Sequence, residues 1–136
     1  MTRVVKVDGD ALEREAGAPA RLANGQYQRR AVLLGSERGA AAGLHGFVVP
    51  RADLHQGEYV APADERLQWL TGFTGSAGFC IVLPDVAGVF IDGRYRVQVK
   101  HQVDLSVYTP VPWPEVKAGD WIREHLASGI VGFDPW

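Results

Sequence analysis

Between Thr71 and Tyr95 the sequence runs T-G-F-T-G-S-A-G, an apolar run, a short turn, a second apolar run and then D-G-R-Y. Gly72, Gly75 and Gly78 punctuate the first part at regular spacing. Glycine tolerates positive φ and lets backbone or ligand come close. Phe79, Cys80, Ile81, Val82 and Leu83 predict a buried strand, Pro84 and Asp85 a turn, and Val89, Phe90 and Ile91 the returning strand. Asp92-Gly93 ends that strand and delivers Arg94 and Tyr95. A glycine-rich entry, a hairpin and a charged exit together present a fixed surface, and the chemistry is expected there.

The remaining elements are read around this hairpin. Residues 1–26 are the least informative and form an N-terminal arm. Val4, Val5 and Val7 allow a short edge strand and Ala11 to Ala16 a helical turn or two, while Gly17, Pro19, Asn24 and Gly25 interrupt any regular element from there to residue 26. The arm is expected to wrap the domain or move, and carries no assigned chemistry. The domain proper spans 27–136. A helix is predicted from Tyr27 to Ala42 with Gly43 as its stop, then a strand over Phe47, Val48 and Val49 ended by Pro50. A polar loop from Arg51 to Ala61 leads to a helix from Pro62 to Leu70. Pro62 suits its first turn, Asp64 and Glu65 favour its positive end, and Gly72 stops it.

Residues 95–103 fit two periods. Tyr95, Val97 and Val99 alternate as in a strand, while Tyr95, Val99 and Val103 sit at helical spacing. Leu105 to Tyr108 predicts a strand leading into Pro110, Pro112 and Pro114, read as an extended connector that cannot join a sheet centrally. Asp120 is expected to cap a helix through Ala127 that buries Ile122 and Leu126, with Gly129 as its end and Ile130 to Phe133 as the last strand. Strands alternating with helices, plus one tight hairpin, predict an α/β fold: a mixed sheet covered by helices.

A chain of 136 residues suits one domain with a real core. Hydrophobic residues at 46% and charged residues at 22% exclude a disordered chain. A net charge of −2 offers no basic field to nucleic acid or an anionic membrane. No apolar run approaches the ~20 residues that cross a bilayer, and the N-terminus lacks the apolar core of a secretory signal. The single cysteine, Cys80, excludes an intrachain disulfide and suits a reducing cytoplasm. Within its apolar run it reads as an inert core residue.

Arg94 leads the candidate site residues. It follows a glycine at a strand-to-helix turn, where strand ends in α/β sheets commonly face a ligand crevice. A helix N-terminus favours anions, so its guanidinium needs another partner. That partner is either a ligand carboxylate in a cleft or a structural mate, Asp92 or Asp64. Asp92 reads as a turn residue bonding its own backbone. Tyr95 and Phe73 neighbour the turn, with core packing and substrate contact as the two readings for each. Trp69 is read as core, although tryptophan is also common at subunit interfaces. Asp53-x-His55-x-x-Glu58 is the only metal-like cluster, yet zinc wants three or four protein ligands. The plainer reading is a polar loop that caps the following helix. His45, His101 and His125 are scattered. The glycines fit no phosphate loop, because no G-K-[ST] comes after them and a strand is next. Ser76 lies in G-S-A-G and not in a G-x-S-x-G elbow.

W-L-T-G-F-T-G-S-A-G at 69–78 and D-G-R-Y at 92–95 resemble the N-terminal domain of Xaa-Pro aminopeptidases, in the creatinase, prolidase and aminopeptidase P group. V-V-P-R-A-D-L-H-Q-G-E-Y-V at 48–60 and V-G-F-D-P at 131–135 fit the same pattern in the same order. The resemblance covers roughly 28–136. It implies a ribonuclease H-like arrangement of about five or six strands, and it favours the helix at 95–103. It also implies that Arg94 reaches toward a peptide substrate whose second residue is proline, with Tyr95 and Phe73 beside it. Catalysis in the family uses two divalent metal ions, of Mn or Zn type, held by Asp, His and Glu of a separate C-terminal domain. Those motifs do not occur in this sequence, so the isolated chain is expected to bind no catalytic metal and hydrolyse nothing. Ending on Asp134-Pro135-Trp136 directly after a strand, it is expected to be a piece of something longer. The implied partners are its own C-terminal catalytic domain, a second copy in a homodimer and the peptide, with no nucleic acid and no membrane. The rivals are a stand-alone interaction module and the N-terminal domain of a proline dipeptidase or creatinase-type hydrolase.

Overall fold

The computed structural model describes residues 2–6, 43–53 and 55–133, the first five as backbone only. The predicted helix at 27–42 and the turns at 11–16 lie outside the described residues.

The hairpin forms in the interior of the sheet. Strand β3 (Phe79–Val82) pairs antiparallel with β4 (Ala87–Ile91), Cys80 facing Val89 and Ile81 facing Gly88. Leu83 N–H donates to Val86 O at 2.8 Å to close the turn. On the far side of β3, β2 (Gly46–Pro50) pairs antiparallel, Phe47 opposite Val82. Strand β6 (Gly129–Phe133) lies parallel to β2, and β1 (Thr2–Lys6) lies parallel to β6 at one edge. Strand β5 (Tyr108–Pro112) lies parallel to β4 at the other edge. The described residues thus form one mixed sheet of six strands in the order β1-β6-β2-β3-β4-β5.

Helices cover both faces, which explains why the hairpin strands are apolar throughout and not alternating. Side chains of successive strand residues point to opposite faces. Cys80, Val82, Val89 and Ile91 meet Leu67 and Leu70 of α1 (Arg66–Thr71) and Val99 of α2 (Gln98–Gln102). Ile81, Phe90 and Val131 meet Trp121 of α3 (Ala118–His125), with Leu83, Val111 and Leu126 in the same cluster.

Several boundaries differ from expectation for local reasons. The helix expected over 62–70 is a 3-10 turn (Pro62–Asp64) and then α1, broken at Glu65. Its stop holds: Gly72 adopts φ 79° and its N–H donates to Gln68 O at 2.8 Å. In 93–103 the helical period prevails as a 3-10 turn (Gly93–Tyr95) followed by α2. Val99 and Val103 are buried, while Val97 is 71% exposed, which no inward-facing strand would allow.

Strand β5 starts where the predicted strand was to end and runs through Pro110 and Pro112. Trp113 N–H donates to Ile91 O at 2.9 Å. By the two-residue period Thr109 and Val111 also turn toward β4, while the prolines turn to the open edge, where no N–H is needed. An edge stripped of donors also discourages pairing with another chain. Helix α3 begins two residues before Asp120, which pairs with Arg123 and does not cap. The helix buries Trp121, with Ile122 half-buried. Gly129 opens β6 at φ 155°, where a Cβ would lie 2.7 Å from the His45 ring.

Candidate functional site

At the C-terminal end of β4 the chain leaves the sheet through Asp92, whose extended backbone caps the Gly93–Tyr95 turn. Its carboxylate accepts Arg94 N–H at 2.9 Å, Nε at 3.1 and 3.2 Å and Nη2 at 2.7 Å. Asp92, and not Asp64, is therefore the structural mate of Arg94. One carboxylate fixes both the backbone and one edge of the guanidinium. The side chain nevertheless stays 65% exposed, and its Nη1 has no hydrogen-bond partner among the described residues. Arg94 is held in place but turned outward.

The plane beneath Arg94 is the Tyr95 ring, 5.1 Å from the guanidinium carbon to the centroid, within cation–π range. The Tyr95 phenol oxygen accepts Ser76 N–H at 3.1 Å and shares a short hydrogen bond with Ser76 Oγ. These Ser76 contacts favour the phenolate and hold the phenol below its ordinary pKa. Under Tyr95 lies Phe73, edge to face at 5.5 Å. Phe73 is 1% exposed and belongs to the core, so Arg94 and Tyr95 reach the surface and Phe73 supports them. The glycines accommodate that ring. A Cβ on Gly75 would sit 2.2 Å from Phe73 Cζ. The close approach that the glycines allow at this loop is made by the domain's own Phe73.

Hydrogen bonding from Arg94 is the main reason the Asp92 carboxyl lies below its ordinary pKa. A depressed carboxylate pKa contributes stability that is present above the unfolded value and lost as pH falls through the folded one. The clamp is therefore expected to persist at mildly acidic pH and to loosen only below the usual aspartate range. Carbon-detected NMR titration of Asp92 should show this, and Arg94→Ala should move its midpoint up toward the ordinary range, with the N–H of residue 94 still holding it down in part.

Sequence reasoning missed the residues that hold the glycine loop. Thr74 N–H donates to Gln102 Oε1 at 2.9 Å, and Gln102 Nε2 and Gln98 Nε2 donate to Thr74 Oγ1 at 2.7 and 3.3 Å. Arg51, with its side chain 14% exposed, donates through Nη1 to Ser76 O at 3.1 Å and Glu58 O at 3.2 Å, and through Nη2 to Glu65 at 3.4 Å. Only its place beside a β-strand hinted at this.

The Asp53 carboxylate accepts His55 N–H at 3.0 Å and Gly57 N–H at 3.1 Å. These bonds, that from Gly57 foremost, lower its pKa. It folds its own loop and does not cap the next helix, whose N-cap receives no side-chain bond. No group of three or more His, Cys, Asp or Glu among the described residues is arranged to hold a metal ion. The described residues therefore offer no ligand set for the metal pair that the resemblance implies. Burial pushes the Cys80 thiol far up, so it is inert. His45 Nδ1 accepts Ile130 N–H at 3.1 Å and ties β6 to the start of β2. No helix among the described residues is long and apolar enough to cross a membrane.

Comparison with known proteins agrees with this architecture. A family model of the creatinase/prolidase N-terminal domain matches residues 36–136. Human Xaa-Pro aminopeptidase 2 is 37% identical over 94 residues, covering 68% of this chain and 14% of the human protein. Aminopeptidase P2 of Arabidopsis thaliana is 37% identical over 103 residues, covering 69% of this chain and 14% of its own length. Among solved structures, X-prolyl aminopeptidase from Caenorhabditis elegans, described as a cytosolic enzyme with a di-nuclear active site, superposes with a TM-score of 0.64 at 31% identity. That match covers 68% of this chain and 16% of the nematode chain. A Xaa-Pro dipeptidase from Bacillus anthracis, at 19% identity and a TM-score of 0.60, shares the fold. The chain thus spans about one seventh of the relatives it matches, and on the family match it belongs to the creatinase/prolidase N-terminal domain family.

Proposed function

We propose that this chain is the non-catalytic N-terminal domain of a metal-dependent Xaa-Pro aminopeptidase, where it walls the active-site entrance, contributes Arg94 and Tyr95 to substrate binding and takes part in a homodimer. The observation that carries this reading is the guanidinium of Arg94, clamped by Asp92 yet turned outward at the end of an interior β-strand. A guanidinium fixed in advance loses little freedom when it meets a carboxylate or a peptide carbonyl. The relatives support the class, being Xaa-Pro aminopeptidases and aminopeptidases P at 35–40% identity. The dipeptidase alternative has a likeness of fold alone behind it.

Bond cleavage is assigned to a separate catalytic domain. Two divalent metal ions held there would supply the activated water and polarise the scissile carbonyl. This domain's share is to orient the peptide and limit access. By analogy with the cytosolic nematode enzyme, the whole protein would work in the cytoplasm.

The test compares wild type and Arg94→Ala in the full-length enzyme on an X-Pro peptide. A hydrogen bond to a charged group is worth about 1.5–3 kcal/mol, so kcat/KM is expected to fall about ten- to hundred-fold, mostly through KM. Bound metal should be unchanged. Undiminished activity would remove Arg94 from the site. Turnover by this chain alone would overturn the division of labour.

A further inference from the structure

The geometry points to Arg51 and Ser76 as positioning residues that set the outward cation from behind, a role resting on the reading of Arg94 as a substrate contact. Ser76 is held on both sides of its peptide units. Its carbonyl accepts Arg51 Nη1 at 3.1 Å, its N–H donates to the Tyr95 phenol oxygen at 3.1 Å, and its hydroxyl closes a second bond to the same phenol. The Tyr95 ring in turn carries the Arg94 guanidinium, 5.1 Å from the centroid. One continuous path therefore runs from a mostly enclosed guanidinium to an exposed one through a single loop residue.

The loop has little freedom to compensate if Ser76 moves. On one side Thr74 is bonded through backbone and hydroxyl to Gln98 and Gln102. Beneath it Gly75 lies against the Phe73 ring. On the other side Gly78 O accepts Arg51 N–H at 3.1 Å. Arg51 thus grips the loop twice, by backbone and by side chain, and its remaining bonds to Glu58 O and Glu65 fix its own direction. Arginine suits this task because its planar fork reaches several acceptors at once.

Among the described residues no hydrogen bond joins Arg51 or Ser76 to Arg94 directly, and the path to it runs through Tyr95. That separates positioning from direct contact in a double-mutant cycle. In the full-length enzyme, Arg51→Met is expected to raise KM for an X-Pro peptide about three- to ten-fold with kcat within two-fold. In an Arg94→Ala background the same change should raise KM by clearly less than it does in the wild type, because only the Tyr95 contact is left to be displaced. Arg51→Lys should restore part of the loss. Ser76→Ala removes one hydroxyl from an exposed loop and leaves the backbone bonds in place, so it guards against a folding defect in the Arg51 variant. It should show the same non-additivity with a smaller effect, and it should raise the Tyr95 titration midpoint measured by NMR. Losses that add fully to that of Arg94→Ala would overturn the positioning role while leaving Arg94 as a contact. An Arg94→Ala enzyme with unchanged KM would overturn both.

Discussion

Phe73→Ala is expected to destabilise the domain by roughly 3–5 kcal/mol, the usual cost of emptying a buried aromatic site. The ring is 1% exposed and packs in the cluster formed by Leu67, Leu70, Val99 and Tyr108. Its edge contact with Tyr95 and its fit beneath Gly75 are lost together with the ring. Against a typical total of about 5–15 kcal/mol this is a large share. Urea unfolding should show a much lower midpoint with little change in slope. A surface contact would behave otherwise, changing stability by no more than about 0.5 kcal/mol. Because Tyr95 rests on this ring, Phe73→Leu offers a graded test. It should recover much of the stability while still letting Tyr95 shift, and so raise KM in the full-length enzyme more than its effect on folding accounts for.

Patterns confined to neighbouring residues were legible in the sequence. The hairpin of β3 and β4, the Gly72 stop and the strands around Val48 and Val131 arise from apolar runs and glycine punctuation. So does the aspartate turn at Asp92, which bonds the N–H two residues on. Local reading failed where a tertiary partner decided. Pro110 and Pro112 look like a connector until β5 is seen to lie at an edge, with β4 on one side only. Asp120 looks like a cap because nothing local reveals that α3 already begins at Ala118.

The candidate site divides in the same way. Arg94, Tyr95 and Asp92 lie within four residues and were visible together. Their supports were not, because Arg51 and Ser76 are 25 residues apart, Ser76 and Tyr95 19, and Thr74 and Gln102 28. Arginine, serine and glutamine carry no local signature of such bonds, since they are equally common on solvated faces. The motif marks the exposed end of the assembly, and the fold supplies the support behind it.

The glycines give the sharpest contrast between fold and function. Gly78→Ala is expected to cost about 3 kcal/mol or more, because two penalties fall together. The residue adopts φ 151°, a region that L side chains rarely enter and that costs about 1–3 kcal/mol. Its Cβ would also lie 2.8 Å from the Phe90 carbonyl oxygen and 3.2 Å from the Phe73 ring. Phe90 is in β4, an interior strand paired on both sides, so that backbone yields little, and overpacking adds about 1–3 kcal/mol. Gly93 in D-G-R-Y is the control. Its φ is not positive, and a Cβ there meets only Arg96 Nε, at 4.0 Å. Gly93→Ala should therefore leave the unfolding free energy within about 0.5 kcal/mol of wild type. If it also raised KM in the full-length enzyme, the glycine beside Arg94 would be required by the ligand that approaches the surface and not by the fold. A Gly78→Ala domain as stable as wild type would mean that the loop can shift away from Phe90, and the rigid support ascribed to Ser76 would fail with it.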